Sequence, residues 1–171
     1  MIDRNLSTTR FLQEMGPNLI KIMKRLLANQ NLLRLLMYTD KDPLNEAKPD
    51  IDAKDAYRNG DNGVIRIIPI ISDKTDATSI LTLRVLSGTP SGENSEFLDI
   101  SFSIELFIPN EQWIIKGDNL RPYAIMGEVQ KSLEGKQING LGEIHGSGFS
   151  VNFFTEEVSA FIMNYTITQY N

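Results

Sequence analysis

The chemistry open to this chain is narrow. It has one histidine, His145, and no cysteine. Disulfides, thiolate metal sites and cysteine nucleophiles are therefore excluded, and neither a cysteine-based triad nor a multi-histidine metal site can be assembled within one copy. His145 stands in "EIHGSG" at an expected turn between strands and reads as a turn or surface residue. The glycines around it (Gly140, Gly142, Gly146, Gly148) invite comparison with a phosphate loop. Phosphate binding of that kind needs a strand before the loop and a helix after it, so that helix N–H groups face the anion. Here a helix precedes and strands follow, so the glycines are expected to serve turns and close strand approach. The segment Thr39–Gly63 offers Asp40, Asp42, Asp50, Asp52, Asp55 and Asp61. A calcium loop begun at Asp50 would need Gly at its sixth position and Glu at its twelfth. Those positions hold Asp55 and Asp61, so the match fails and weak divalent-ion binding is all that remains open. No cofactor and no catalytic residue is expected.

A further stretch asks for a decision between site and corner: "QWIIKGDNLRPYAIM", Gln112–Met126. It holds the only Trp, then Gly-Asp-Asn, then Arg-Pro. The corner reading makes Trp113 and the next two isoleucines a short strand. Gly117 lets the chain bend, and Asp118 or Asn119 caps the helix that starts near Pro122. Lys116 and Arg121 are then cations at the end of a sheet, suited to a neighbouring subunit's carboxylates.

The elements that position these residues follow from periodicity. Leu19, Ile20, Ile22, Met23, Leu26 and Leu27 recur at helical spacing, with Pro17 expected at the first position of that helix. "NLLRLLMY" (Asn31–Tyr38) continues that helix or begins another. Thr39–Gly63 is rich in Asp, Pro, Asn and Gly and reads as a long connection or extended arm. "GVIRIIPII" is an apolar strand that Pro69 assigns to an edge or bulge. It is expected to form a hairpin with Ser79–Leu86 across "SDKTDAT". The clearest strand carries Leu98, Ile100, Phe102, Ile104, Leu106 and Ile108 in alternation with mostly polar residues, as in a sheet buried on one side. A helix follows with Pro122 at its start and Arg121 held outside it, with Ile125, Met126, Val129 and Leu133 as its apolar stripe and Gly135 as its stop. Three β segments close the chain: Gln137–Ile144, Phe149–Phe153 and Val158 to the end. The whole is an α+β domain with N-terminal helices, a mainly antiparallel sheet with a long hairpin, and one central helix packed on it. Residues 1–38 are the helical segment, 39–62 the polar acidic connection and 63–171 the α+β body of a single domain.

The net charge of −5 is unevenly spread. Residues 1–36 hold six basic residues against two acidic, and the remainder eleven against twenty. An acidic body without aromatic–basic interleaving argues against direct nucleic-acid binding. No run of about 18 apolar residues marks a membrane span, and "MIDRNLSTTR" has no apolar signal-peptide core, so synthesis in a cytoplasm is expected. A basic helix, an acidic arm and free strand edges are features of an assembly subunit.

The element order across roughly residues 7–171 resembles the tail terminator and head–tail joining (neck) proteins of tailed bacteriophages. The resemblance is carried best by "FSIELFIPNEQWIIKGDNLRPYAIMGEVQKSLEGKQINGLGEI", Phe102–Ile144. It implies a non-enzymatic virion protein, assembled in the host cytoplasm. It implies a homo-oligomer, a hexameric ring, that caps the tail tube and meets the head-completion or connector proteins, with DNA passing through its lumen. The Thr39–Gly63 segment is longer than the first connection usual in such proteins. On this reading Arg10, Lys21, Lys24 and Arg25 lie on one side of the ring contact. Asp50, Asp52, Asp55, Asp73 and Asp76 lie on the other, or on the tube-facing surface, with Lys116 and Arg121 as further contacts. The alternatives are a small adaptor or regulatory protein binding one partner, and a carboxylate- or metal-assisted hydrolase.

Overall fold

Leucines set the first layer of the core. In the computed structural model, which describes residues 4–57, 63–67, 78–91, 97–138 and 141–170, helix α1 spans Arg4–Leu27. It buries Ile22, Met23 and Leu26, and half-buries Met15, Leu19 and Leu27 beside them. Pro17 does not start this helix; it lies inside it. Gly16 and Pro17 are both exposed, so the backbone bond that Pro17 cannot make is lost on the solvent side. The second leucine run is a separate helix, α2 (Gln30–Met37). Asn29 breaks the chain between them, and its side-chain oxygen accepts a hydrogen bond from the Leu32 N–H at 3.1 Å, as an N-cap does. Leu32, Leu33, Leu35 and Leu36 are all fully buried.

The main sheet has the order β1-β2-β3-β7-β6, with β1 Ile65–Arg66, β2 Ile80–Pro90, β3 Phe97–Pro109, β6 Ile144–Phe154 and β7 Val158–Tyr170. A two-residue pair, β4 (Ile114–Ile115) and β5 (Asn119–Leu120), stands apart. The apolar alternation of β3 appears as expected, and residues 158–170 are a strand. Two expectations fail. The chain around Ile65 does not form a hairpin with the next strand: β1 runs parallel to β2, pairing Ile65 with Leu81. Parallel neighbours require a crossover, which periodicity alone does not distinguish from a turn. Pro69 lies outside the described residues, among which β1 is the first strand of the sheet. The polar face of β3 is also shielded at its centre: Ser103 is 0% and Glu105 6% exposed. Arg84 of β2 forms an ion pair with Glu105 there.

The other face packs on the helices. Leu81, Leu83, Ile104, Leu106, Phe161, Met163 and Ile167 join one core with α1, α2 and helix α4 (Arg121–Leu133), which contributes Ile125, Met126, Val129 and Leu133. Gly135 ends α4 with φ +64°. At the base of α1 a polar clamp reaches the last strand. Asn18 donates to Gln169 Oε1 at 2.8 Å, and Gln169 donates to Glu14 Oε2 at 3.0 Å.

Gly142 and Gly146 serve close approach. A Cβ on Gly142 would lie 2.6 Å from the Thr168 carbonyl oxygen, whereas the one close contact of a Cβ on Gly146 would be the end of the Glu134 side chain, at 2.7 Å, with the Tyr165 ring at an ordinary 3.5 Å. Backbone cannot retreat as a carboxylate can. Gly142→Ala is therefore expected to destabilise by ~1–3 kcal/mol in urea unfolding, the range for an overpacked site, and Gly146→Ala by clearly less.

Candidate functional site

The stretch from Gln112 is a corner, but not the one expected. A 3-10 turn, Asn110–Gln112, leads to Trp113, and the β4–β5 pair turns through Gly117 at φ +84° and Asp118 at φ +55°. Asp118 and Asn119 do not cap α4. The N-cap position is Leu120, without a side-chain hydrogen bond, and Asn119 Oδ1 instead accepts from the Leu120 N–H at 2.8 Å. Pro122 in the first turn removes one of the donors that a cap would satisfy.

Arg121 was expected as a surface cation for a neighbouring subunit. It is fully buried. Its Nε donates to Gln112 O at 2.9 Å, Nη1 to Leu35 O at 2.9 Å and to Tyr38 O, and Nη2 to Asp40 O. One guanidinium thus joins the end of α2, the start of the acidic segment and the 3-10 turn. Burial lowers its pKa, and the nearby Asp40 charge opposes that shift.

The other expected contact residues are placed as follows. Arg10 lies in α1 with only its backbone described, and Asp73 and Asp76 lie outside the described residues, as do Asp61 and Gly140. Lys24 is exposed on α1. Lys21 donates to Asn18 Oδ1 at 3.1 Å, and Arg25 Nε to Ser132 O of α4 at 3.0 Å. Asp50 pairs with Arg34 at 2.8 Å. Asp52 caps the short helix α3 (Ala53–Ala56), which holds Asp55. Lys116 pairs with Asp42 at 2.9 Å. Asp40 pairs with Lys48, whose hydrogen bond, with that from the Asp42 N–H, lowers its pKa. The acidic segment is consequently no extended arm: Asp40, Asp42 and Asp50 are each matched by a cation of the same chain. Tyr38 and Gln30 also hold it, through Pro49 O at 3.0 Å and Ile51 O at 2.9 Å.

Among the described residues, no metal-ligating cluster brings chemistry-bearing groups together. His145 is a surface residue, as expected, in the first part of β6 rather than in a turn, 3.9 Å from Glu134 and 4.0 Å from Glu143. An open groove of about 560 Å³ lies between the α1–α2 junction and α4, lined by Arg25, Asn29, Glu128, Lys131 and Ser132 among others. Its polar groups engage one another. Asn29 Nδ2 contacts Glu128 Oε2 and Ser132 Oγ, both at 2.9 Å, and Lys131 pairs with Glu128 at 2.8 Å. Burial pushes the Glu128 carboxyl up, but hydrogen bonds from Lys131, Asn29 and Asn31, with the Lys131 charge, outweigh it and leave the pKa below 4.5.

What sequence reasoning missed is an uncovered apolar margin on β6. Phe149 is 61% and Val151 47% exposed. They pair in register with Met163 and Phe161, so they belong to the core-facing side of the sheet. Phe161 is itself gripped by Trp113 and Tyr123, with ring centroids 5.9 and 6.1 Å away, and Tyr123 is 48% exposed. The alternation of Phe149 and Val151 was legible as a strand. That the helices stop short of it was not.

Two stability tests follow. Arg121→Ala leaves up to four buried carbonyls unsatisfied, at ~1–3 kcal/mol for each orphan that water does not reach, so a loss of roughly 3 kcal/mol or more is expected in chemical denaturation. For Glu128 the folded pKa lies below the unfolded one. Its stabilisation is present above pH 4.5 and lost as pH falls through the folded value. Glu128→Gln is expected to flatten the decline of stability below pH 4.5, read as melting temperature against pH.

A family model, YomW, matches residues 29–168. No curated protein matches the chain.

Proposed function

The chain belongs to the YomW family, a phage-derived (Bacillus SPbeta-like) protein family, and on that premise we propose that it is a structural virion protein of a tailed phage. In this reading it is a tail terminator or neck subunit without enzymatic activity. Copies form a hexameric ring that caps the tail tube and joins it to the head connector, with DNA passing through the lumen. Assembly takes place in the host cytoplasm.

The observation that carries the reading is the apolar margin of β6. Large side chains left in water on the core-facing side of an edge strand mark a protein–protein contact. Phe149 and Val151, with Tyr123 beside their neighbour Phe161, form such a margin. The charges named from sequence support it less, because Asp50 and Lys116 are matched within the chain. Lys24, exposed on α1, remains suited to an outside partner.

Mass measurement in solution, with and without purified tail tubes, tests the reading. The expected result is a species of several 19.3 kDa chains, formed in solution or on the tubes. Phe149→Lys and Val151→Lys are expected to abolish it without lowering the melting temperature, because both side chains are already exposed. A chain that stays single at high concentration and ignores tail tubes would sink the proposal.

A further inference from the structure

The two margins of the sheet fit each other. Strands β2, β3, β7 and β6 alternate in direction, so β6 of one copy would meet β2 of the next antiparallel. The backbone hydrogen bonds fix which groups on each margin are free.

On β6 the first residues are already capped. Ile144 donates to Lys136 O at 3.2 Å and accepts from Gly135 N at 2.9 Å, and Gly146 N–H donates to Glu134 Oε2 at 2.8 Å. Farther along, Val158 O of β7 accepts from Thr155 N at 2.9 Å. Even-numbered residues of β7 therefore turn toward β6 and odd-numbered ones toward β3. Phe149 and Val151, opposite Met163 and Phe161, turn their N–H and C=O groups outward. Register shifts between Gly146 and Gly148 and between Val151 and Phe153 bound this free run.

On β2, only Leu81 and Thr82 pair with β1 among the described residues. Ser91 N–H donates inward to Phe97 O at 2.9 Å, so Gly88 and Pro90 turn outward. Both residues are exposed. Gly88 and Pro90 pair with Ile100 and Leu98, which puts them on the core-facing side as well. One antiparallel register matches the faces and lets Val151 and Gly88 exchange both backbone bonds: Val151 opposite Gly88, Phe149 opposite Pro90, Ser150 opposite Thr89. Gly88 leaves room for a neighbour's side chain, and Pro90, which has no N–H to donate, still offers its carbonyl to the Phe149 N–H, so that pair makes one backbone bond of two. Apart from His145, no residue of β6 is ionisable, so no charge repels a partner strand.

We propose that copies of this chain join by strand addition, Phe149–Val151 of one pairing antiparallel with Gly88–Pro90 of the next. This rests on the ring reading above and names its contact. The contact is head-to-tail, the kind that closes into rings.

Cysteine cross-linking tests it, since the native chain has no cysteine. In the proposed register Ser150 and Thr89 form a pair whose Cα atoms lie ~4.5 Å apart, within disulfide reach. Within one copy they stand on opposite margins, more than three strand spacings or ~14 Å apart, beyond that reach. Under mild oxidation, alone and with tail tubes, the double variant S150C/T89C is expected to give a ladder of multimers ending in a closed species without free thiols. S150C/S87C, displaced by two residues, is expected to lose that ladder. Rings of the native chain with no cross-linking of S150C/T89C, or with equal cross-linking of S150C/S87C, overturn the strand pairing and leave the ring standing. A ladder from a protein that never engages tail tubes upholds the pairing and overturns the tail reading. A native chain that is single with and without tubes, and no ladder, overturns both.

Discussion

The Arg121 guanidinium is the joint on which the helical layer depends. Helix α2 ends with carbonyls that have no partner within the helix, and the C-terminal end carries partial negative charge. Arg121 supplies donors to Leu35 O and Tyr38 O there, then to Asp40 O beyond it and Gln112 O before α4. A lysine offers a point charge with three donors. The planar guanidinium offers five in a fixed fork, which is what carbonyls converging from three segments require. Desolvation opposes the charge, as the lowered pKa records. Full hydrogen bonding is what makes such burial tolerable.

From that joint the acidic segment takes its course. Tyr38 leads directly out of α2, Asp40 is held by Arg121, and the following residues return across α2 to α3. The ion pairs along it are exposed on at least one side: Asp50 is 72% and Lys116 74% exposed. Pairs of that kind contribute little singly. Their role is to choose a path for a chain that Arg121, the Tyr38 hydroxyl and the Gln30 amide already hold. Three carboxylates of the acidic segment are thus matched within one copy, Asp50 by Arg34 of the basic segment.

Local patterns were legible where one side chain's environment is set by its neighbours in sequence. The alternation of β3, the stripe of α4 and the stop at Gly135 all follow from periods of two or 3.6 and a left-handed residue. Properties set by distant residues were not legible. Arg121 looked exposed because its polar partners lie 81 to 86 residues away, apart from Gln112. The direction of β1 depends on a crossover rather than on its own composition. Pro17 stays inside α1 because that turn faces solvent, a fact of packing and not of the Gly-Pro pair. For the candidate surface, Phe149 and Val151 were visible as strand residues, whereas their lack of cover depends on how the helices pack across the sheet.

The uneven treatment of the sheet margin gives the surface its meaning. Edge strands are hazards that folds blunt with charge, bulges or cover. Here the blunting is selective: Gly135, Lys136 and Glu134 occupy the outward groups of Ile144 and Gly146, and the register shifts delimit what remains. The residues left between them carry apolar side chains on the core side. The matched family region runs from Asn29, the cap of α2, to Thr168 of β7, so it contains this margin and the opposing Gly88–Pro90 run while leaving α1 outside. Helix α1 is fastened by Gln169, which also falls just outside it. The shared part of the fold is therefore the sheet with both free margins, α2 and α4. A surface belonging to that shared part is better suited to a common assembly role than the basic helix that the charge pattern first singled out.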